Sequence, residues 1–299
     1  MHAIGRRELS LFVAVVAIWG INWPLMKMAL SELDFWVFRS WCIAAGLLWF
    51  IAYDLRRGVP LALPRAHWGR MLLSALCNVS AWNILSAAAL TMLPSGRAGV
   101  LAYTMPLWVV LLSRVVLGER LTVWRIVAIS IGMAGIALLL ADEFQMLRGA
   151  PVGALLMIVS GFLWAVGIVV FKGFPRTIPT TTLMIWSLAL GAPPVWLGLA
   201  LFGHGPWLPT TASAWTGLLF NMVVVFGFCL FAWNELVRAL PAQIAGISSL
   251  AVPIVGFGSG MLLLHERPRP FDYVALVAIV IAVALVLKPP SPAPRSDAG

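Results

Sequence analysis

Residues 93–120 read LPSGRAGVLAYTMPLWVVLLSRVVLGER, and residues 240–267 read LPAQIAGISSLAVPIVGFGSGMLLLHER. Laid over each other without a gap, at a shift of 147, Leu93 meets Leu240, Pro94 meets Pro241, Ala98 meets Ala245 and Gly99 meets Gly246. Further along, Pro106 meets Pro253, Leu117 meets Leu264, and Glu119-Arg120 meets Glu266-Arg267. Apolar chains match one another easily in leucine and valine, but not in proline or in a Glu-Arg pair. The match continues upstream at a shift of 145, where Trp19 falls on Trp164, Lys27 on Lys172, Trp41 on Trp186 and Gly46 on Gly191. Trp82-Asn83 finds Trp233-Asn234 at a slightly different offset. The chain therefore reads as a duplication. Residues 1–145 form the first unit and 146–288 the second, and 289–299 form a Pro- and Ser-rich tail expected to be disordered and cytoplasmic.

Composition says what the units are made of. Of 299 residues, 62% are hydrophobic and 10% charged, against roughly 45–50% and 25% in a soluble domain. So few charges cannot cover so much apolar surface in water, so the solvent is largely lipid. A spanning helix needs about 20 mostly apolar residues. Ten segments qualify: 9–30, 35–53, 70–91, 97–117, 122–141, 151–171, 180–202, 214–236, 242–264 and 271–288. The third is parted from the fourth, and the eighth from the ninth, by single short turns at Leu93-Pro94-Ser95-Gly96 and Leu240-Pro241-Ala242-Gln243, where proline breaks a helix. Each unit then holds five helices. Two odd-numbered repeats in one chain must be inverted relative to each other, which is a transporter architecture with its site at the repeat interface. The expected fold is an all-α integral membrane protein of ten transmembrane helices, built as two inverted five-helix repeats. With a cytoplasmic N-terminus, fourteen Lys and Arg residues fall inside and six outside (Lys27, Arg39, Arg97, Arg148, Arg267 and Arg269), so both termini are expected in the cytoplasm.

The same facts exclude other classes. A net charge of +9 would suggest nucleic acid in a soluble protein, but here the basic residues sit in short loops and serve topology, so no nucleic-acid partner is expected. Cys42, Cys77 and Cys229 lie singly in apolar runs, which speaks against disulfides and metal sites. The first apolar stretch lacks a small-residue cleavage site and reads as a retained helix. His2, His67, His204 and His265 all fall outside helix centres, and the chain holds no HExxH. No catalytic residue, metal or cofactor is expected.

The motifs carry a resemblance. Ile18-Trp19-Gly20-Ile21-Asn22 with Lys27 in the first helix, Arg39 in the second, and the repeated Pro106/Glu119 and Pro253/Glu266 patterns resemble the drug/metabolite transporter superfamily, in particular its ten-helix EamA-type members. The resemblance covers nearly the whole chain. It implies a carrier of the bacterial inner (plasma) membrane that works by alternating access. The tryptophan richness is most similar to members that export aromatic amino acids. Gly167 stands where Asn22 stands in the first unit, so the two halves are not expected to contribute equally.

Polar groups at membrane depth are the first functional suspects, because each costs energy unless it faces a partner or water. Asn22, before Trp23-Pro24, stands equally for a cavity role or a kink. Asn78, Trp82 and Asn83 in the third helix and Asn221, Trp233 and Asn234 in the eighth line a cavity or bond neighbouring helices. Tyr103, Thr104 and Trp108 in the fourth helix, and Ser248 and Ser249 in the ninth, complete the cavity candidates together with Trp19 and Trp164. An aromatic lining suits flat apolar or cationic substrates; lipid-facing packing is the alternative for each tryptophan. Trp36, Trp49, Trp68, Trp124, Trp196, Trp207 and Trp215 lie near helix ends and read as the interfacial belt. Pro24, Pro106, Pro253 and Gly246 are hinge candidates, and Glu119 and Glu266 are gate candidates that serve equally well as helix caps. Lys27 is expected to snorkel or to pair with Glu32 or Asp34.

The function expected is export of small amphipathic metabolites, aromatic or other neutral amino acids foremost, with a proton-coupled multidrug or other metabolite exporter as the alternative. Sugar-phosphate or nucleotide-sugar exchange ranks lower, because the cations near the helices lie at their ends. A membrane-embedded enzyme ranks lower still. The partners expected are the bilayer and a small-molecule substrate, with the chain a monomer or weak homodimer through its featureless fifth and tenth helices. Movement is expected to be uncoupled from protons, because the carboxylates, Asp54 and Asp272 among them, fall in predicted loops, tails or helix ends.

Overall fold

The computed structural model describes residues 6–102, 104–116, 151–171, 173–175, 177–233 and 255–287, with residues 123, 126, 127, 130–135, 137, 138 and 252 besides. Every regular element among them is helical. Helix α1 spans Arg6–Leu30, α2 Phe35–Arg57, α3 Arg65–Met92, α4 Ser95–Ala102 and α5 Met105–Val116. Helix α6 spans Pro151–Phe171, α7 Thr180–Phe202, α8 Ala212–Trp233, α9 Val255–Leu264 and α10 Pro270–Leu287. Six of these, α1, α2, α3, α6, α7 and α8, are long and apolar enough to cross a membrane.

Local sequence accounts for the boundaries. Asp34 caps α2 by accepting from the Trp36 backbone N–H, and Gly58, in the left-handed region at φ 65°, closes it. α3 stops at Met92, Leu93 is extended, and α4 starts at Ser95, as the Pro94 turn predicts. The expected fourth span is divided into α4 and α5. Pro106 lacks the N–H that would bond the carbonyl of residue 102, and Thr104 turns back onto Leu101 O through both its backbone N–H and its hydroxyl. α3 reaches further than its apolar run, because Arg65–His67 add a 3₁₀ turn at its start. Pro24 lies inside α1, and Pro193-Pro194 inside α7, without ending either helix. Both α3 and α8 contain π-helical stretches, at Leu76–Ala81 and Phe220–Cys229.

Packing crosses between the units. α8, from the second unit, lies along α1 and α2 of the first; α3, from the first, lies along α6 and α7 of the second. Repeat-related residues make the two crossings. Gly46 of α2 receives Phe226 of the α8 π stretch, where an added Cβ would sit 3.1 Å from its ring. Gly191 of α7 receives Val79 of the α3 π stretch, and its carbonyl accepts from Ser80 Oγ at 2.7 Å. The indole of Trp41 donates to Trp207 O at 2.9 Å, and that of its counterpart Trp186 to Leu61 O at 2.8 Å. Each unit's second helix thus holds a loop of the other. α10 turns Phe271, Tyr273, Val274, Val277 and Ile281 outward and buries Ala275, Ile279 and Ala282.

Candidate substrate path and its closure

Two tryptophan pairs lie where the units cross. Trp19 of α1 meets Trp233 of α8 with ring centroids 4.9 Å apart; Trp164 of α6 meets Trp82 of α3 at 6.2 Å. The repeat relates Trp19 to Trp164 and Trp82 to Trp233, so these are one contact made twice. All four rings are half-buried.

Each crossing also carries one amide. Asn22 sits on α1 and Asn78 on the π stretch of α3, and the Oδ1 of each is enclosed without a hydrogen-bond partner. Gly167 of α6 makes the room for Asn78, since a Cβ there would fall on the amide oxygen. This explains the departure seen in the repeat: the position of Asn22 in one unit is glycine in the other because an asparagine from α3 fills its space. Asn22 stands one turn from Trp19 and Asn78 one turn from Trp82, and an unpartnered amide oxygen offers an acceptor to a donor such as an amine or hydroxyl.

Asn83 and Asn221 are buried, and each donates its side-chain N–H to the carbonyl four residues earlier, Val79 O at 2.8 Å and Gly217 O at 3.0 Å, while its Oδ1 is enclosed without a partner like those of Asn22 and Asn78. Asn83 O accepts from Arg39 Nε at 3.1 Å, and Arg39 Nη2 reaches Ser86 Oγ and Met26 Sδ. Arg39, expected near a helix end, is buried and joins α2 to α1 and α3. Thr104 abuts Gly161 of α6. Trp108 packs edge-on against Phe162 at 5.7 Å, with its Nε1 unpartnered. Tyr103, Ser248, Ser249, Asn234, Pro253, Gly246 and Glu119 lie outside the described residues.

Among the described residues, two Lys or Arg ion pairs join the units at one end. Lys27 does not pair with Glu32 or Asp34. Its Nζ donates to Leu93 O at 2.8 Å and to Glu266 Oε1 at 3.3 Å. Glu266 also accepts from Ser95 N at 2.7 Å, Ser95 Oγ at 2.8 Å and Gly96 N at 3.2 Å. It thereby caps α4 of the other unit, where the helix N-terminus attracts an anion. His265, in the left-handed region at φ 52°, turns the chain after α9 toward this contact; the aligned residue of the first unit is Gly118. Beside it, Arg97 Nη2 meets Asp272 Oδ1 at 2.6 Å, with side chains 2% and 8% exposed. Asp272, expected in a loop, stands in the first turn of α10. Glu32 is held elsewhere, by the backbone N–H of Thr210 at 2.6 Å and of Thr211 at 3.2 Å and by both threonine hydroxyls. These bonds lower its pKa from 4.5 to about 2, the Thr211 hydroxyl contributing most. The sequence signal for the Lys27–Glu266 contact was present in the repeat, which keeps both a lysine (Lys27 and Lys172) and a glutamate (Glu119 and Glu266).

A helical membrane protein made of two related units, crossed through paired tryptophans and joined at one end by ion pairs, has the build of a membrane carrier. The chain belongs to the EamA-like transporter family, whose model matches it twice, over residues 6–141 and 151–288. It is 24% identical over 285 residues to a probable amino-acid metabolite efflux pump of Escherichia coli K12, covering 92% of each chain. It is 27% identical over 208 residues to the aromatic amino acid exporter YddG of Ancylobacter novellus, covering 69% of this chain and 71% of that one. The transporter YoaV of Bacillus subtilis 168, whose function is uncharacterized, is 26% identical over 259 residues, covering 85% and 88%. One solved crystal structure shares the fold with a TM-score of 0.67 at 21% identity, covering 94% of this chain and 96% of that one.

Proposed function

We propose that this transporter exports small neutral amphipathic metabolites, aromatic amino acids foremost, across the bacterial inner membrane by alternating access. The observation that carries the reading is the pair of repeat-related tryptophan contacts, each with an unpartnered asparagine oxygen about one helical turn along the same helix. Rings stack a flat substrate, and the amides accept from its amine. The efflux pump and exporter among its relatives support the same class. The described cations near the path are already engaged, Lys27 by Glu266, Arg97 by Asp272 and Arg39 by neutral acceptors, which disfavours phosphorylated substrates. In this reading ten helices form two inverted five-helix units at 1–145 and 146–288, both termini are cytoplasmic, and Lys27–Glu266 is the outer latch.

The test is counterflow of labelled phenylalanine into proteoliposomes loaded with unlabelled phenylalanine. Trp19→Leu and Trp164→Leu should each raise KM several-fold while the protein stays folded. Unchanged KM in both variants would remove the tryptophan pairs from the substrate path.

A further inference from the structure

Arg39 sits in the second turn of α2 and is 4% exposed, although a charge at membrane depth is costly without a partner or water. Neutral groups hold it. Nε donates to Asn83 O at 3.1 Å, and Nη2 donates to Ser86 Oγ at 3.1 Å and to Met26 Sδ at 2.9 Å. Its Cζ lies 5.2 Å from the centre of the Phe38 ring. Among the described residues it makes no ion pair, and Nη1 meets no acceptor. A thioether sulfur is a weak acceptor, so part of Nη2 is poorly used as well. The position of the guanidinium is fixed, and its charge is left uncancelled.

Its partners place that charge between the two tryptophan contacts. On α1, Trp19, Asn22 and Met26 follow at i, i+3 and i+7 and share one face. On α3, Trp82 and Ser86 are i and i+4 within the α-helical stretch Trp82–Met92 and share another. Arg39 touches the last residue of each set. Its guanidinium therefore bridges the tryptophan-bearing faces of α1 and α3. Met26 and Ser86 each stand four residues beyond Asn22 and Trp82, roughly 6 Å at ~1.5 Å per residue, which is the reach of one amino acid. The residue aligned with Arg39 in the second unit is Met184, so the duplication does not repeat this cation.

We propose that Arg39 is the substrate-binding cation: it takes the carboxylate of a zwitterionic aromatic amino acid, while the Asn22 oxygen accepts from the amine and the rings stack the side chain. A carboxylate bound through Nη1 and Nη2, in place of the Met26 sulfur, makes the bidentate pair that guanidinium geometry favours. In this arrangement Met26 occupies Nη2; separation of α1 from α2 frees it. One guanidinium balances one carboxylate charge and leaves the further charge of a phosphate monoester uncompensated, in keeping with the preference above. The identity of the cargo rests on the exporter reading; the carboxylate site stands on the contacts of Arg39.

The test separates the carboxylate from the amine. Tryptophan fluorescence of the purified full chain is titrated with phenylacetate, which has the carboxylate alone, and with phenylethylamine, which has the amine alone. Arg39→Gln should weaken phenylacetate binding by roughly 10–150-fold and leave phenylethylamine binding nearly unchanged. Arg39→Lys, which keeps the charge without the fork, should fall between. A purely structural arginine would weaken both ligands alike, and that result, or phenylacetate binding unchanged in Arg39→Gln, would overturn the proposal. If Arg39→Gln does not fold, Arg39→Lys carries the same comparison, and a wild type that fails to bind phenylacetate overturns the site without any variant. In proteoliposomes, Arg39→Gln should raise KM for phenylalanine counterflow and abolish the preference for phenylalanine over phenylalaninol as competitor. Absence of any counterflow, with Arg39-dependent phenylacetate binding intact, would sink the exporter reading and leave the carboxylate site standing.

Discussion

Replacing Glu266 by glutamine removes one charge from the contact that joins the two units and keeps the side chain's shape. Four donors converge on Glu266: Ser95 N, Ser95 Oγ, Gly96 N and Lys27 Nζ. The Lys27 pair is partly open to solvent, at 33% and 15% exposure, so its loss is worth at most about 1 kcal/mol. Removing the anion from the α4 N-terminus costs about 0.3–2 kcal/mol more. The amide oxygen still accepts, so the total is about 0.3–3 kcal/mol. If Glu266 latches the carrier shut at that end, the opening equilibrium shifts by roughly 2–150-fold. Ser259 is a reporter beneath the latch: it is buried, and its hydroxyl donates to Gly20 O and Gly256 O. In a background lacking the three native cysteines, Ser259→Cys should react with a membrane-impermeant maleimide faster by that factor when Glu266→Gln is added. The acceleration should appear from one side of the membrane only. An unchanged rate, or equal acceleration from both sides, would refute the latch and leave Glu266 as a helix cap.

Three further outcomes follow from packing and charge. Glu32 is held at about 2 by its threonine donors, so its contribution to stability is full above 4.5 and is lost as pH falls toward 2; thermal unfolding of Glu32→Gln should lose the part of that acid sensitivity due to this residue. Gly217→Ala would place a Cβ against Leu25 O and 2.9 Å from Ala29 N on α1. Backbone cannot step aside as a side chain can, so the cost is about 1–3 kcal/mol, whereas Gly69→Ala, with nothing within 4 Å, should be neutral or slightly stabilising in the same melt. Asp272→Ala leaves the Arg97 guanidinium buried without this partner and should cost about 3–5 kcal/mol.

Much of this could be read before any coordinates. The hydropathy bounds 151–171 and 180–202 coincide with α6 and α7, and the Leu93-Pro94 turn falls where α3 gives way to α4. Hydropathy missed the start of α3, because Arg65 and His67 form a solvated turn that no apolar window can register. Proline misleads in both directions: Pro106 accompanies a break, while Pro24, Pro193 and Pro194 are absorbed within helices. The site was harder. Asn78, Trp82 and Asn83 do not share a face when counted at 3.6 residues per turn, but Leu76–Ala81 is π-helical, and the wider turn shifts the phase of every residue beyond it. That α3 and α8 each pack into the opposite unit is a fact of topology that no local pattern encodes. Asp54 was expected in a loop because Arg56 and Arg57 follow closely, yet it lies buried in the last turn of α2.

A path for neutral aromatic compounds where the units cross is tested by competition against labelled phenylalanine counterflow in proteoliposomes containing the purified chain. Tyrosine and tryptophan should compete, and sugar phosphates at the same concentration should not. Inhibition by sugar phosphates without inhibition by aromatic amino acids would rule such a path out.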